Sequence, residues 1–308
     1  MLVFALHRLL QGVVVVFAIF TITFFLLRFA PGSPYATERS MPPHIEAYRR
    51  ASLGLDKPLV EQYWLRLKAM AQGDMDLSDK YQGRYVADII RDSFPVSLQI
   101  GVMALGVALL IGIPIGAYAA LRPNSLDDYV PMTLAMLGIC LPTFVLGPLL
   151  ALGLALKLGM FSVSGWYDTW DLVLPSLTLG IVNAAVVARL MRVGMLDTLN
   201  QDFIRTARAK GVSERAVVWK HALKHACLPV LNFLGPATAG LIAGSFVVES
   251  VFQVPGLGQH FVSAVVNRDV SLTVGVVAFY GVFVVVFNFL VDILQVWINP
   301  RLSFENRS

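Results

Sequence analysis

Charge is what this sequence lacks most. Lys, Arg, Asp and Glu make up 14% of its 308 residues, where a soluble domain carries about 25%. Cysteine is scarce as well: Cys140 lies inside one apolar stretch and Cys227 at the start of another. Two such thiols form neither a disulfide framework nor a paired metal-ligand spacing, and they read as small buried side chains. No GxxxxGK[ST] stretch is present, which excludes a phosphate-cradling loop of that kind. His221 and His225 stand four apart but have no third ligand nearby, so no metal site is expected. The net charge is +4, yet no solvated basic domain exists to hold nucleic acid.

What the chain has is apolar length. It is 56% hydrophobic, with a mean hydropathy of +0.69, and its charges cluster so as to leave long stretches bare. A hydrocarbon core of about 30 Å needs roughly 20 apolar residues in a helix. Six stretches approach this: Leu9–Leu27, Val96–Leu121, Val130–Leu156, Leu172–Ala188, Ala226–Val248 and Val270–Val291. None contains Lys, Arg, Asp or Glu. The expected fold is an all-α integral membrane protein with six transmembrane helices, a folded outer loop and a cytoplasmic helix. The first apolar run is longer than the core of a cleaved signal, so it reads as a retained span. Gly and Pro recur within the spans (Gly112, Pro114, Gly116, Pro131, Pro142, Pro148, Gly235, Pro236), which suits a packed bundle with close helix contacts.

Orientation follows from Lys and Arg in short loops. The segment from Arg189 to Leu228 holds eight of them, whereas the loop between the fifth and sixth spans holds only Arg268. Both termini are therefore expected in the cytoplasm. The organisation reads as residues 1–29, cytoplasmic N-terminus and first span; 30–95, an outer loop; and 96–308, a five-span core with a cytoplasmic segment at 194–228. In the outer loop Val60, Tyr63, Trp64, Leu67 and Met70 recur at helical spacing. That stripe suits three placements: over the bundle's outer mouth, on the membrane surface, or against a partner.

The stretch from Asp202 to Pro229 reads DFIRTARAKGVSERAVVWKHALKHACLP. A helix-former is broken at Gly211, and Ser213 can cap a second helix from Glu214 onward. A short helix between two spans can act as a lever that passes a partner's push to both.

This segment resembles the cytoplasmic signature of binding-protein-dependent ABC importer permeases in its peptide/nickel version. Thr206, Ala207 and Arg208 stand where the general signature has Glu-Ala-Ala, and Gly211 follows as expected. Leu228–Pro229 comes later than in sugar transporters. Phe29–Ala–Pro–Gly–Ser–Pro34, Gly54–Leu–Asp–Lys–Pro58, Gln62–Tyr63, Pro255–Gly–Leu–Gly258, Asn288 with Asp292, and Asn299–Pro–Arg301 are similar to the same subgroup. The stretch PGSPYATERSMPP is similar to the first membrane subunit of its oligopeptide members. The resemblance covers nearly the whole chain.

It implies a pathway-forming subunit of the bacterial inner membrane, without catalytic residues. A homologous second permease, two ATPase subunits holding ATP and Mg, and a periplasmic or lipid-anchored substrate-binding protein are the implied partners. Asp202, Arg205, Thr206, Ala207, Arg208, Ala209, Lys210, Gly211 and Glu214 are the implied ATPase-coupling residues. Candidates for the substrate pathway are Glu249, Asn232, Asn183 and Arg189. For Glu249 an interface pairing and a substrate-facing role stay open, and Arg189 and Arg192 read either as topology anchors or as lining of the inner mouth. Asn288, Asp292, Pro255, Gly256 and Gly258 are expected to be structural, the glycines making a turn before a short outer helix.

Overall fold

A computed structural model describes residues 2–29, 56–81, 83–243 and 245–298. The motif at 31–43, the start of Gly54–Pro58 and Asn299–Pro300–Arg301 fall outside the described residues. Among the described residues the chain is helical, with a single isolated β-bridge between Leu77 and Tyr85.

The helices are α1 (Leu2–Phe29), α2 (Leu59–Ala71), α3 (Val86–Leu121), α4 (Leu126–Cys140), α5 (Thr143–Leu150), α6 (Val173–Leu199) and α7 (Asp202–Ala209). They continue as α8 (Glu214–Ala226), α9 (Leu228–Ala243), α10 (Phe246–Phe252), α11 (Leu257–Asn267) and α12 (Val270–Ile298). The chain divides into two compact units. One comprises residues 96–258 with 287 onward, the other residues 2–95 with 259–286.

Among the described residues, four helices long and apolar enough to cross a membrane are unbroken: Leu6–Phe29, Val86–Leu121, Thr169–Leu199 and Val270–Ile293. The count reaches six only when two bent pairs are each taken as one span. The third expected span, Val130–Leu156, is not a rod: α4 and the stretch Thr143–Lys157 meet at 108°. Pro142 explains the break, because a proline cannot donate to the ladder and pushes the residue before it out of the helical region. Leu141 accordingly sits at φ −84°, ψ 117°. The fifth expected span differs too. Its helix begins at Glu214, bends by 46° between Ala226 and Leu228, and ends before α10. The second begins at Val86, ten residues ahead of the expected start, because the charged first turns are helical although not apolar.

In the first unit α6 is the axis. Small residues let its backbone lie against its neighbours. A side chain at Gly112 would meet Val187 Cβ at 2.7 Å and the Ala184 carbonyl at 2.6 Å; one at Gly180 would meet Val107 at 2.6 Å. Gly116 lies against the Ala188 carbonyl and Gly194 against that of Ala226. Met191 and Met195 of α6 are fully buried among Ile204, Ala207, Val217, Ala222 and Ala226. Where α6 begins, Asp171 accepts hydrogen bonds from the backbone N–H of Tyr167 (2.7 Å) and Asp168 (3.0 Å).

In the second unit, α2 places Tyr63 beside Phe20, Phe24 and Phe25 of α1, with the Tyr63 hydroxyl 2.8 Å from Thr21 Oγ1. Leu67 and Met70 pack on the same cluster, whereas Val60 and Trp64 of the expected stripe stay exposed. Asp269 caps α12, its carboxylate accepting from the N–H groups of Leu272 (2.9 Å), Asp79 (3.1 Å) and Lys80 (3.2 Å) and from the Ser78 hydroxyl. Asp79 in turn accepts from the Ser271 N–H at 3.2 Å. Leu9, Val13, Ile22 and Leu26 of α1 are exposed, which suits lipid and not water. The thiols are less hidden than expected, Cys140 being exposed and Cys227 partly so.

Burial, reinforced by Arg84, lowers the pKa of His260 from its ordinary 6.5. The folded form therefore resists protonation while the unfolded chain accepts it. Stability is expected to fall as pH drops below 6.5, and His260→Gln should flatten that limb of the unfolding midpoint measured against pH. Burial raises the pKa of Asp79 from its ordinary 3.8, so its contribution runs the other way and is lost as pH rises above 3.8.

Candidate functional site

The segment after α6 folds as two helices on one apolar seam. In α7, Ile204 and Ala207 are buried against the α6–α8 core, while Asp202, Phe203, Arg205, Thr206, Arg208 and Ala209 are exposed. A helix that buries only every third residue has most of its circumference free for a partner. Gly211 takes φ +78° and ends α7, its N–H reaching the Arg208 carbonyl at 2.9 Å and that of Val212 reaching Ala207 at 3.2 Å. That left-handed residue after a helix is the usual place for glycine. Ser213 then caps α8 by accepting from the Ala216 N–H at 3.4 Å.

A bidentate pair closes the turn, Arg208 Nε and Nη2 donating to the two Glu214 oxygens at 2.8 and 3.1 Å. Phe203 faces the His225 ring at 5.1 Å, which gives His225 a contact across the turn. Within α8, Val217–Ala222 is π-helical, an irregularity frequent at functional sites. Lys210 is exposed at the tip. All the sequence-derived residues from Asp202 to Glu214 thus share one projecting hairpin.

A second grouping was not legible in the sequence. Asp128, at the start of α4, is 1% exposed, and Arg192 of α6 donates to both its oxygens at 2.5 Å. The Asn124 N–H adds a further bond at 3.0 Å. Arg192 is therefore a partner to a buried carboxylate, and the tie joins α4 to α6. One turn earlier, Arg189 is exposed and lines a cavity of ≈ 250 Å³ with Tyr129, Met132, Met136 and the Asp128–Arg192 pair.

Glu249 is fully buried at the end of the fifth apolar region. Its Oε1 accepts from the Ser97 hydroxyl at 2.7 Å and from the Ser245 hydroxyl, and Ser97 Oγ accepts the Leu257 N–H at 2.8 Å. Gln253, at φ 53°, reverses the chain after α10 and folds Pro255–Gly258 back over the carboxylate. A Cβ on Gly256 would run into that carboxylate, and one on Gly258 would lie 3.0 Å from Oε2 and 2.9 Å from Phe246 Cα. The two glycines are there to let a buried acid be covered by backbone.

The other candidates are scattered. The Asn183 amide is turned back to the Leu179 carbonyl at 3.0 Å, whereas Asn232 on α9 is exposed. Asn288 on α12 lies against α9, its Oδ1 3.3 Å from where a Gly235 side chain would start. Asp292 is half-buried one turn further on and is engaged in an interaction of its own.

Comparison with known proteins fits this geometry. Residues 112–304 match the family described as the binding-protein-dependent transport system inner membrane component. Residues 1–101 match the N-terminal part of such membrane components. The chain is 42% identical to the oligopeptide transport system permease protein OppB of Haemophilus influenzae, over 99% of its own length and 100% of the relative's. It is 40% identical to the Escherichia coli protein of that name over the same shares. It is 38% identical to the dipeptide transport system permease protein DppB of Bacillus subtilis over 95% of each. Among solved structures, the methionine ABC transporter MetNI in an inward-facing conformation aligns with a TM-score of 0.56 at 18% identity, covering 68% of this chain and 96% of that one.

The described chain is thus an all-helical membrane permease, and it belongs to the family of binding-protein-dependent transport system inner membrane components. Within that family its full-length relatives are permease subunits of peptide systems.

Three substitutions test this geometry. Asp128→Asn should lower stability by about 3–5 kcal/mol, since it leaves Arg192 beside a neutral partner. Gly256→Ala should cost about 1–3 kcal/mol through the clash with Glu249, whereas Gly240→Ala, with nothing within 4 Å of the new methyl, should be near neutral. Thermal unfolding of the purified protein in detergent reads all three.

Proposed function

We propose that this chain is one of two membrane subunits of an ATP-driven importer for oligopeptides, delivered from outside by a periplasmic or lipid-anchored binding protein. A homologous second permease completes the pathway. Two ATPase subunits, which hold the ATP and Mg, push on α7 and its counterpart. This chain performs no hydrolysis; it converts their closure into movement of its spans. Both termini face the cytoplasm of a bacterial inner-membrane protein, as the Lys and Arg distribution argues.

The observation that carries the reading is the projecting hairpin of α7, Gly211 and α8. Its inner residues Ile204 and Ala207 sit in the same core as Met191 and Met195 of α6 and Val217 of α8. A push on the exposed side of α7 is therefore delivered to two spans at once, because packed side chains move together. Arg208 paired to Glu214 stiffens the turn, and Asp202, Arg205 and Lys210 offer charge to the docking partner. The oligopeptide substrate rests on the identity to the OppB proteins over the whole chain. A dipeptide importer is the second reading, supported by the likeness to DppB. Pathway roles for Asn183 and Asn232 belong to the same proposal. Glu249, covered by Ser97, Ser245 and the Pro255–Gly258 turn, acts there as a fastener beside the pathway.

A Cβ at Gly211 meets no atom within 4 Å, so the cost of Gly211→Val is set by backbone strain of about 1–2 kcal/mol at positive φ. Gly211→Val is expected to insert and to assemble with its partners, yet to lose most peptide uptake per ATP hydrolysed in proteoliposomes. Gly211→Asn, which tolerates that region, should keep more. Normal uptake by the Val variant would overturn the lever.

A further inference from the structure

The cavity between α4 and α6 holds a cation that nothing among the described residues answers. Arg189 makes no hydrogen bond or ion pair among the described residues. The acid that lines the cavity with it, Asp128, is already saturated: both oxygens accept from Arg192 at 2.5 Å and one also accepts from the Asn124 N–H at 3.0 Å. With that pair neutralised, the cavity carries one net positive charge.

The rest of its lining is chemically adaptable. Tyr129, Met132, Ala135, Met136 and Ala185 face the same space, and methionines reshape around ligands of different outline. The volume of ≈ 250 Å³ far exceeds the ~10–15 Å³ that a single water needs on the same measure. A planar fork that pairs bidentately with a carboxylate, set beside an apolar bed that accepts many shapes, fits one carboxylate attached to a variable side chain. Position adds to this. Arg189 precedes the end of α6 by ten residues, about 15 Å of helix, and α6 leads directly into α7.

We infer that this cavity is an inner-side subsite for the C-terminal residue of a peptide, with Arg189 binding the terminal carboxylate and the Met132–Met136 face taking the last side chain. The inference rests on the peptide-importer reading above. It makes the cytoplasmic side of the protein sensitive to accumulated product, because a free peptide of suitable end can occupy the site from within. Occupancy beside the α4–α6 tie, on the helix that leads into α7, would then slow the ATP-driven cycle.

The test uses the complete transporter, with its second permease, ATPases and binding protein, in proteoliposomes. A tripeptide ending in Leu is sealed inside either as the free acid or as the C-terminal amide, and ATP-driven uptake and hydrolysis are followed. The parent complex should be inhibited at about tenfold lower concentration by the acid than by the amide, the discrimination expected for a charge-assisted contact. With each complex scaled to its own uptake into peptide-free vesicles, Arg189→Gln should erase that ratio and Arg189→Lys should keep part of it. A ratio near one in the parent, or an unchanged ratio in Arg189→Gln, would overturn the subsite. If Arg189 instead meets an acid of the second permease, Arg189→Gln would reduce co-purification of that subunit and leave the ratio intact, which also overturns it. A parent complex that imports no peptide of any kind defeats the importer reading itself, and uptake into empty vesicles shows which of the two has failed.

Discussion

The structure of the first unit depends on how closely the α6 backbone approaches the helices around it. In lipid the hydrophobic effect gives helices no reason to adhere, so contact must come from packing at short range. Gly112, Gly116, Gly180 and Gly194 remove the side chains that would keep α6 away from α3 and α8. Met191 and Met195 then fill the seam between α6 and the α7–α8 hairpin. The glycines permit contact and the methionines complete it. Without that approach neither the Asp128–Arg192 tie nor the seating of Ile204 would have a fixed frame.

On this frame the charged groups divide by what surrounds them. Asp128 and Glu249 are both buried, but one is held by a guanidinium and the other by two hydroxyls. An ionisable group inside a membrane protein persists only when it is paired or wet, and these two show separate ways of meeting that demand. The charges of the hairpin are different in kind. Arg205, Arg208, Lys210 and Glu214 stay exposed, where a local pair such as Arg208–Glu214 contributes little to stability and more to the shape offered outward.

Much of the spanning structure was legible from apolar length alone, because the bilayer imposes about the same requirement on every crossing helix. Gly211 and Ser213 were legible for an equally local reason, a breaker followed by a cap. What escaped was what depends on distant partners. Asp128 and Arg192 are 64 positions apart, and no spacing rule joins them. The burial of Glu249 needed Ser97, 152 positions away, and the turn at Gly256. The breaks escaped because proline is ambiguous inside a membrane: Pro131, Pro148 and Pro236 lie within helices, whereas Pro142 ends one. The early start of α3 was hidden by Asp88, Arg91 and Asp92, which a search for apolar runs discards.

The 108° angle at Leu141–Pro142 bears on how displacement spreads from α6. Asp128 fastens the near end of α4 to Arg192, so α4 follows when α6 is shifted along its axis. At the corner, a displacement along α4 is nearly perpendicular to α5 and arrives there as a sideways sweep. In the lever proposed above, the elbow has the geometry of a bell crank: a short stroke along α4 becomes a sideways displacement of α5, in a direction that a straight rod could not supply.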